Sequence, residues 1–455
     1  MMPDDGGQRA DYRKQQTTED RNFSPSSGIR HPSSVIHRAG WVIIDPWTIY
    51  PNGYVRVEDG IIREIGQGTH AGGDEVRDYG GGVIFPAMVN AHTHLELCAL
   101  KGRIATHKGF GFWVKDLIEK RAIMDHKAML EASEIGIREI LASGCGAVAE
   151  ISSLGLTLES VQKSGLAGVW FRECLGDRIC RGESCIRPLV EIPHDQTSNT
   201  ESRESEPGDL WISMAGHAPH TTSPEVLIEI KNRTRRQNAP FSIHLAESDE
   251  EMAFLTTAEG TWKDFLLSRG IDTKSWGLPV QSPVRHLQSI GILDNRTILV
   301  HLLHADQTDL NIIHESRAHV CLCPRSNTAL HRRLPDLDRM LKSGVNLCLG
   351  TDSLASVSSL SMFDEMAFVS KSFPMAAPER IFQMATLGGA SALGLDNRMG
   401  TLVPGKQARL SYIDIQASKA FQVVEALVNF NDQMKHSAET SCTMNSQPNP
   451  RSVLQ

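Results

Sequence analysis

Val83-Ile84-Phe85-Pro86-Ala87-Met88-Val89-Asn90-Ala91-His92-Thr93-His94 is an apolar run that ends in two histidines two residues apart. Residues so spaced on an extended chain project to the same side, so both imidazoles can face one metal ion. Alone, such a pair is weak evidence, because two polar histidines after a strand also arise by chance. Four further patches repeat the pattern. In Phe241-Ser242-Ile243-His244-Leu245-Ala246-Glu247 a histidine closes an apolar run and a carboxylate follows three residues on, close enough to serve as a base towards an attacking water. Ile298-Leu299-Val300-His301 ends on another histidine, Leu347-Cys348-Leu349-Gly350-Thr351-Asp352 on an acid, and Met214-Ala215-Gly216-His217-Ala218-Pro219-His220 on two more histidines.

Each patch also has a plain structural explanation. His244 can be a satisfied core histidine, Asp352 a helix N-cap and Glu247 a solvated helix residue. Their joint placement argues otherwise. Candidate strands fall at 83–91, 146–152, 167–173, 211–216, 240–245, 297–302, 318–323 and 345–350, with helix-like stretches such as 114–142, 223–236, 249–268 and 360–372 between them. The ligand-type residues stand at the C-terminal ends of the first, fourth, fifth, sixth and eighth of these strands. In a (β/α)8 barrel that end carries the active site. A doubly wound sheet shows the same alternation, and alternation alone does not exclude it.

Outside the alternating region the character changes. Residues 1–34 are polar, contain Ser and Pro, lack periodicity and read as a disordered tail. Residues 35–82 hold short strand-like runs broken by Pro46, Pro51-Asn52-Gly53 and Asp59-Gly60, and 396–415 return to hairpin character. The barrel is therefore expected over 83–395, with 416–455 mostly a second disordered tail. Residues 176–208, rich in Arg, Glu, Ser and Thr, read as an insertion after the third strand, of the kind that forms a lid or stays disordered.

Composition narrows the function classes. A net charge of -8 over 455 residues offers no basic excess for nucleic acid. No apolar run approaches the roughly 20 residues of a membrane helix, and the N-terminus lacks a secretory apolar core. Nine scattered cysteines show no zinc-ribbon spacing; Cys321 and Cys323, two apart in an apolar run, suit one face of a buried strand. Together these features place the expected partner among small molecules and the chain in the cytoplasm.

The set Val89-Asn90-Ala91-His92-Thr93-His94, His217-Ala218-Pro219, His244-Leu245-Ala246-Glu247, His301 and Gly350-Thr351-Asp352-Ser353 resembles the amidohydrolase superfamily, and within it the chlorohydrolases and the aromatic and nucleoside deaminases. The resemblance runs from about residue 36 to 414. It implies a (β/α)8 barrel with a small β-sandwich built from both chain ends, and relatives of this kind are often homodimers. It also implies that His92, His94, His244 and Asp352 hold the metal. By the same resemblance Glu247 would shuttle protons, His301 would contact the attacking water and the developing charge, and His217 would line the substrate pocket. Two-metal members need a bridging residue, usually a lysine on the fourth strand; Trp211 to Gly216 has none, which favours one divalent ion. Zinc suits the mixed His and carboxylate set, and iron or manganese also fits.

His94-Leu95-Glu96-Leu97, Gly111-Phe112-Trp113-Val114-Lys115 and His244 to Glu251 are similar to aminodeoxyfutalosine deaminases, which remove a purine amino group. That similarity puts Glu96 and Trp113 beside His217 in a pocket for a planar base. Trp113 can equally be a core aromatic, and Glu96 a structural carboxylate. His220, where many relatives have tyrosine, weakens the transfer of substrate identity. Adenosine, S-adenosylhomocysteine or guanine deamination, triazine dechlorination, and a non-catalytic binding role are the alternatives.

Overall fold

The computed structural model describes residues 34–70, 74–177, 210–415, 417–430 and 452–454. Both expected tails lie largely outside these residues, and so does nearly all of the insertion expected at 176–208. Fifteen strands are assigned in chain order: β1 (Ser34–Asp45), β2 (Thr48–Glu58), β3 (Ile61–Gln67), β4 (Glu75–Asp78), β5 (Val83–Pro86), β6 (Met88–Thr93), β7 (Cys145–Ser152), β8 (Ala167–Cys174), β9 (Leu210–Gly216), β10 (Phe241–Leu245), β11 (Thr297–His301), β12 (His319–Leu322), β13 (Asn346–Leu349), β14 (Leu410–Ile413) and β15 (Ser452–Leu454).

β6 to β13 form one sheet in strict chain order, and every neighbouring pair in it is parallel. The first and last strands then meet. Thr93 and Asp352 form a parallel bridge, the Asp352 amide donates to the His92 carbonyl at 3.1 Å, and the Asn90 side chain donates to Thr351 Oγ1 at 2.8 Å. Closure of this kind excludes the doubly wound alternative, whose sheet has two open edges. The pleat sorts the side chains. Ala147, Val169, Ala215, Val300, Cys321 and Cys348 belong to one buried cluster, while the intervening Val148, Met214, Ile243, Leu299, Val320 and Leu347 belong to another that includes residues of the surrounding helices. Cys321 and Cys323 are fully buried in the same cluster and are free thiols.

The second sheet runs β15-β14-β5-β1-β2-β3, with β4 beside β1, and so draws on both ends of the chain. Here the boundary expected at 83 moves. β5 pairs with β1 and β14 in this sheet, and only from Met88 does the chain enter the barrel. Pro86, which has no amide hydrogen to donate, ends β5 at the crossing. The helix expected over 114–142 is two helices, Phe110–Ala122 and His126–Ala142, the second capped by Asp125. Part of the region expected to be disordered beyond 416 forms the helix Ala420–Val428, whose Val423, Val424, Leu427 and Val428 are buried against the main core. Its apolar spacing of one, three and one residues gives a helical stripe, which is the signal that reading missed. Among the described residues no helix is long and apolar enough to cross a membrane.

Candidate metal centre and active site

Three imidazoles converge at the mouth of the barrel. The Nε2 atoms of His92, His94 and His244 lie 3.1, 3.2 and 3.3 Å from one another. Ligand nitrogens bound tetrahedrally at about 2.0–2.1 Å lie roughly 3.3–3.4 Å apart, so these spacings fit a shared ion. The proton inventory agrees. His244 Nδ1 donates to the His217 carbonyl at 2.7 Å, which fixes its tautomer and leaves Nε2 with a bare lone pair aimed at the other two rings. Burial, reinforced by the neighbouring imidazoles, lowers the proton affinity of His92 well below the histidine norm, and burial likewise lowers that of His94. Neutral rings are what a metal requires. Asp352 stands nearby, with Oδ1 3.9 Å from His94 Nε2 and Oδ2 accepting from Ser326 Oγ at 2.5 Å, while the close group of ligand atoms is that of the three histidines.

Strand ends supply these residues, and two of them leave strand geometry to do so. His301 has φ 75° and Asp352 φ 58°, left-handed values that side chains with a Cβ adopt rarely and at a cost of order 1–3 kcal/mol. Each closes or follows a parallel strand whose regular pleat would continue along the barrel wall; the turn aims the side chain into the mouth. His301 is then fixed by Nδ1, which pairs with Asn327 Oδ1 at 2.8 Å.

Glu247 stands on the same side as His301. Its Oε1 is 3.6 Å from His301 Nε2 and accepts from His331 Nε2 at 3.0 Å. Burial alone would raise its carboxyl, but the charge of His301 and the bond from His331 outweigh it and hold the group well below the usual carboxylate range. Burial lowers His331 in turn, and the Glu247 bond and charge more than reverse that, so its proton is held more firmly than usual. Glu247 is set in place by Glu251, whose carboxylate accepts from the amides of Ala246 at 2.9 Å and Glu247 at 2.8 Å. Ser248 caps the helix Asp249–Thr257 by accepting from the Glu251 amide. Ser248-Asp249-Glu250-Glu251 is thus a capping-box spacing turned to a second use, and that spacing was readable in the sequence.

The other expected pocket residues fare differently. His217 lies beside the cluster, its ring centroid 5.0 Å from that of His244 and its Nδ1 2.6 Å from Thr221 Oγ1. Glu96 does not join it. Its carboxylate accepts from Ser152 Oγ and from the amides of Leu154 at 2.8 Å and Leu156 at 2.9 Å. Those three donors tie down the loop after β7, so the expectation of substrate contact does not carry over to this residue. Trp113 donates its indole N–H to the Ala355 carbonyl at 3.1 Å and stacks on Phe110, which leaves a ring face as the contact it can offer.

Reading by motif missed four contributors. Ser326, Asn327 and His331 sit on one short helix, Pro324–His331, after β12, and they reach Asp352, His301 and Glu247 respectively. Nothing in their spacing marks them, since Ser, Asn and His at such positions are common on ordinary helices. Glu173, at the end of β8, is the fourth. With His217 and His244 it forms a second group of ligand-type atoms within 4.8 Å.

The sequence profile of the amidohydrolase family matches residues 83–437. A 5-methylthioadenosine/S-adenosylhomocysteine deaminase of Halalkalibacterium halodurans is 29% identical over 381 residues, 80% of this chain and 81% of that protein. Among solved structures, the aminofutalosine deaminase of Helicobacter pylori in complex with methylthio-coformycin superposes with a TM-score of 0.72 at 24% identity, covering 86% of this chain and 96% of that one. An adenosine deaminase from Xanthomonas campestris with bound zinc gives a TM-score of 0.70 at 23% identity, covering 87% and 88%. At those identities the two structures speak for the fold.

Proposed function

This chain belongs to the amidohydrolase family, and from that premise we propose that it removes the exocyclic amino group of a 6-aminopurine nucleoside by hydrolysis, using one zinc ion. The observation that carries the reading is the convergence of three Nε2 atoms at the barrel mouth that also holds the buried Glu247 carboxylate, paired with His331. The named substrates of the relatives, S-adenosylhomocysteine, methylthioadenosine, adenosine and aminofutalosine, support the substrate class. Aminodeoxyfutalosine, suggested by the motifs around Glu96, Trp113 and His244, is one member of it.

His92, His94, His244 and Asp352 would hold the ion, which when bound supplies the Lewis acidity that makes water a nucleophile near neutral pH. Iron would sit in the same ligands. The chain's own residues do the rest. Glu247 accepts a proton from the attacking water as the C–O bond forms at the purine carbon, then returns it to the ring nitrogen; the remaining hydroxyl proton passes to the amino group, the C–N bond breaks and ammonia leaves the 6-oxopurine. A carboxylate held below its usual proton affinity starts the cycle ionised, as a base must. His301, fixed through Asn327, faces Glu247 and steadies the charge that develops between them.

The test is ammonia release by the zinc-loaded protein from adenosine, 5′-deoxyadenosine, methylthioadenosine, S-adenosylhomocysteine and aminodeoxyfutalosine, with guanine and a chlorotriazine as controls. Turnover of at least one nucleoside, with the hydroxylated purine as product, is expected. Turnover confined to guanine or the triazine would overturn the substrate class.

A further inference from the structure

Glu96, Glu150, Glu173, Glu247 and Glu251 are buried around the barrel mouth beside Asp352, and four of these five glutamates have ready occupations. Glu96 and Glu251 accept from loop amides, Glu150 accepts from the Leu95 amide at 2.9 Å and from Thr157, and Glu247 faces His301 and His331. Glu173 does not fit this pattern. Its Oε2 accepts from Ser153 Oγ at 2.6 Å, but Oε1 is buried and has no hydrogen-bond partner among the described residues. The nearest cationic candidate is His244 Nδ1 at 3.9 Å, and that atom's proton already goes to the His217 carbonyl. A buried carboxylate oxygen without a donor is costly and calls for an explanation.

A second metal ion is one explanation, because Glu173, His217 and His244 offer three ligand atoms close together. The hydrogen-bond inventory argues against it. Both nitrogens of His244 are committed, Nε2 to the triad with His92 and His94 and Nδ1 to a backbone carbonyl. That leaves two side chains, too few for a closed site.

We propose instead that Glu173 Oε1 is a substrate-recognition group that accepts a hydrogen bond from a donor on the bound substrate, either a sugar hydroxyl or an N–H of the base. It stands with His217, whereas Glu247 stands with His301 and His331, so the two carboxylates address different parts of one ligand. Glu247 serves the reacting atoms and Glu173 selects what is attached to them. A site built around a bare acceptor rejects an analogue that lacks the matching donor, because the acceptor then stays unpaired.

The inference rests on the proposed substrate class for its choice of probes. Zinc content, kcat and KM are measured for the wild type and Glu173→Gln with adenosine, its 2′-, 3′- and 5′-deoxy analogues, and N6-methyladenosine. Expected is one zinc per chain in both proteins and a kcat/KM for adenosine about 10- to 100-fold lower in the variant, mainly through KM. One analogue should show that same loss in the wild type and no further loss in the variant; its identity separates hydroxyl from N–H. An equal loss on every analogue, no loss at all, or two zinc ions in the wild type and one in Glu173→Gln would overturn the proposal. If the wild type turns over none of the nucleosides, the proposed function has failed. The role of Glu173 is then decided by a crystal structure of the zinc-loaded protein: Oε1 bonded to ordered water facing the pocket supports it, and Oε1 bonded to a protein donor or a cation overturns it.

Discussion

The loops that follow β6 and β10 begin alike and end differently. Each leaves a histidine of the Nε2 cluster, His94 or His244, and each carries a buried glutamate within three residues, Glu96 or Glu247. Each also has a second buried carboxylate that grips its backbone, Glu150 on the Leu95 amide and Glu251 on the amides of Ala246 and Glu247. In the first loop the glutamate nearest the histidine is itself bound by three donors, from Ser152, Leu154 and Leu156. In the second, Glu247 has its backbone held by Glu251 and its carboxylate turned to His301 and His331. Closeness to a ligand therefore does not make a carboxylate chemical. The donor type decides: backbone amides hold a carboxylate still, while imidazoles leave it able to exchange a proton.

That contrast can be broken or sharpened by substitution. The largest effect is expected where the shared feature, the histidine, is removed. His244→Ala should lose both the bound ion and all turnover, and chelation of the wild type should match it; metal retained at full stoichiometry in His244→Ala would refute the assignment of that ligand. Next comes Glu247→Gln, expected to keep its metal and melting temperature while kcat falls about 10²- to 10⁴-fold, the usual size of a general acid–base contribution. Glu251→Gln should act through its neighbour, lowering kcat roughly 10- to 100-fold at unchanged metal content, as removal of an orienting partner does. Smallest on activity is Glu96→Gln. The amide offers one acceptor where three donors converge, so chemical denaturation should show a loss of about 1–3 kcal/mol, with kcat unaltered in the folded fraction. A catalytic defect in Glu96→Gln without loss of stability would erase the distinction between the loops.

Much of this was legible before any coordinates. The alternation of apolar runs and helical stretches, with His92, His94, His244, His301 and Asp352 at run ends, follows from local periodicity, and local periodicity survives any packing. The boundary at 83 was not legible, because Val83 to Pro86 is as apolar as Met88 to Ala91 and nothing in composition tells which sheet a buried strand joins. The same limit explains Glu96. Its sequence neighbours resemble those of a pocket residue, and its actual partners, Ser152, Leu154 and Leu156, lie more than fifty residues away.

By itself, then, the order of residues determined the alternating architecture and marked the candidate imidazoles and carboxylates, Glu247 among them, since each depends on side-chain chemistry placed at a strand end. Only the closed barrel decided that Ser326, Asn327 and His331 reach Asp352, His301 and Glu247, that Glu96 is bound by Ser152, Leu154 and Leu156, and that Glu173 Oε1 has no hydrogen-bond partner among the described residues. Those facts are properties of hydrogen-bond partners distant along the chain, and a donor is assigned to an acceptor only when folding brings the two within about 3 Å.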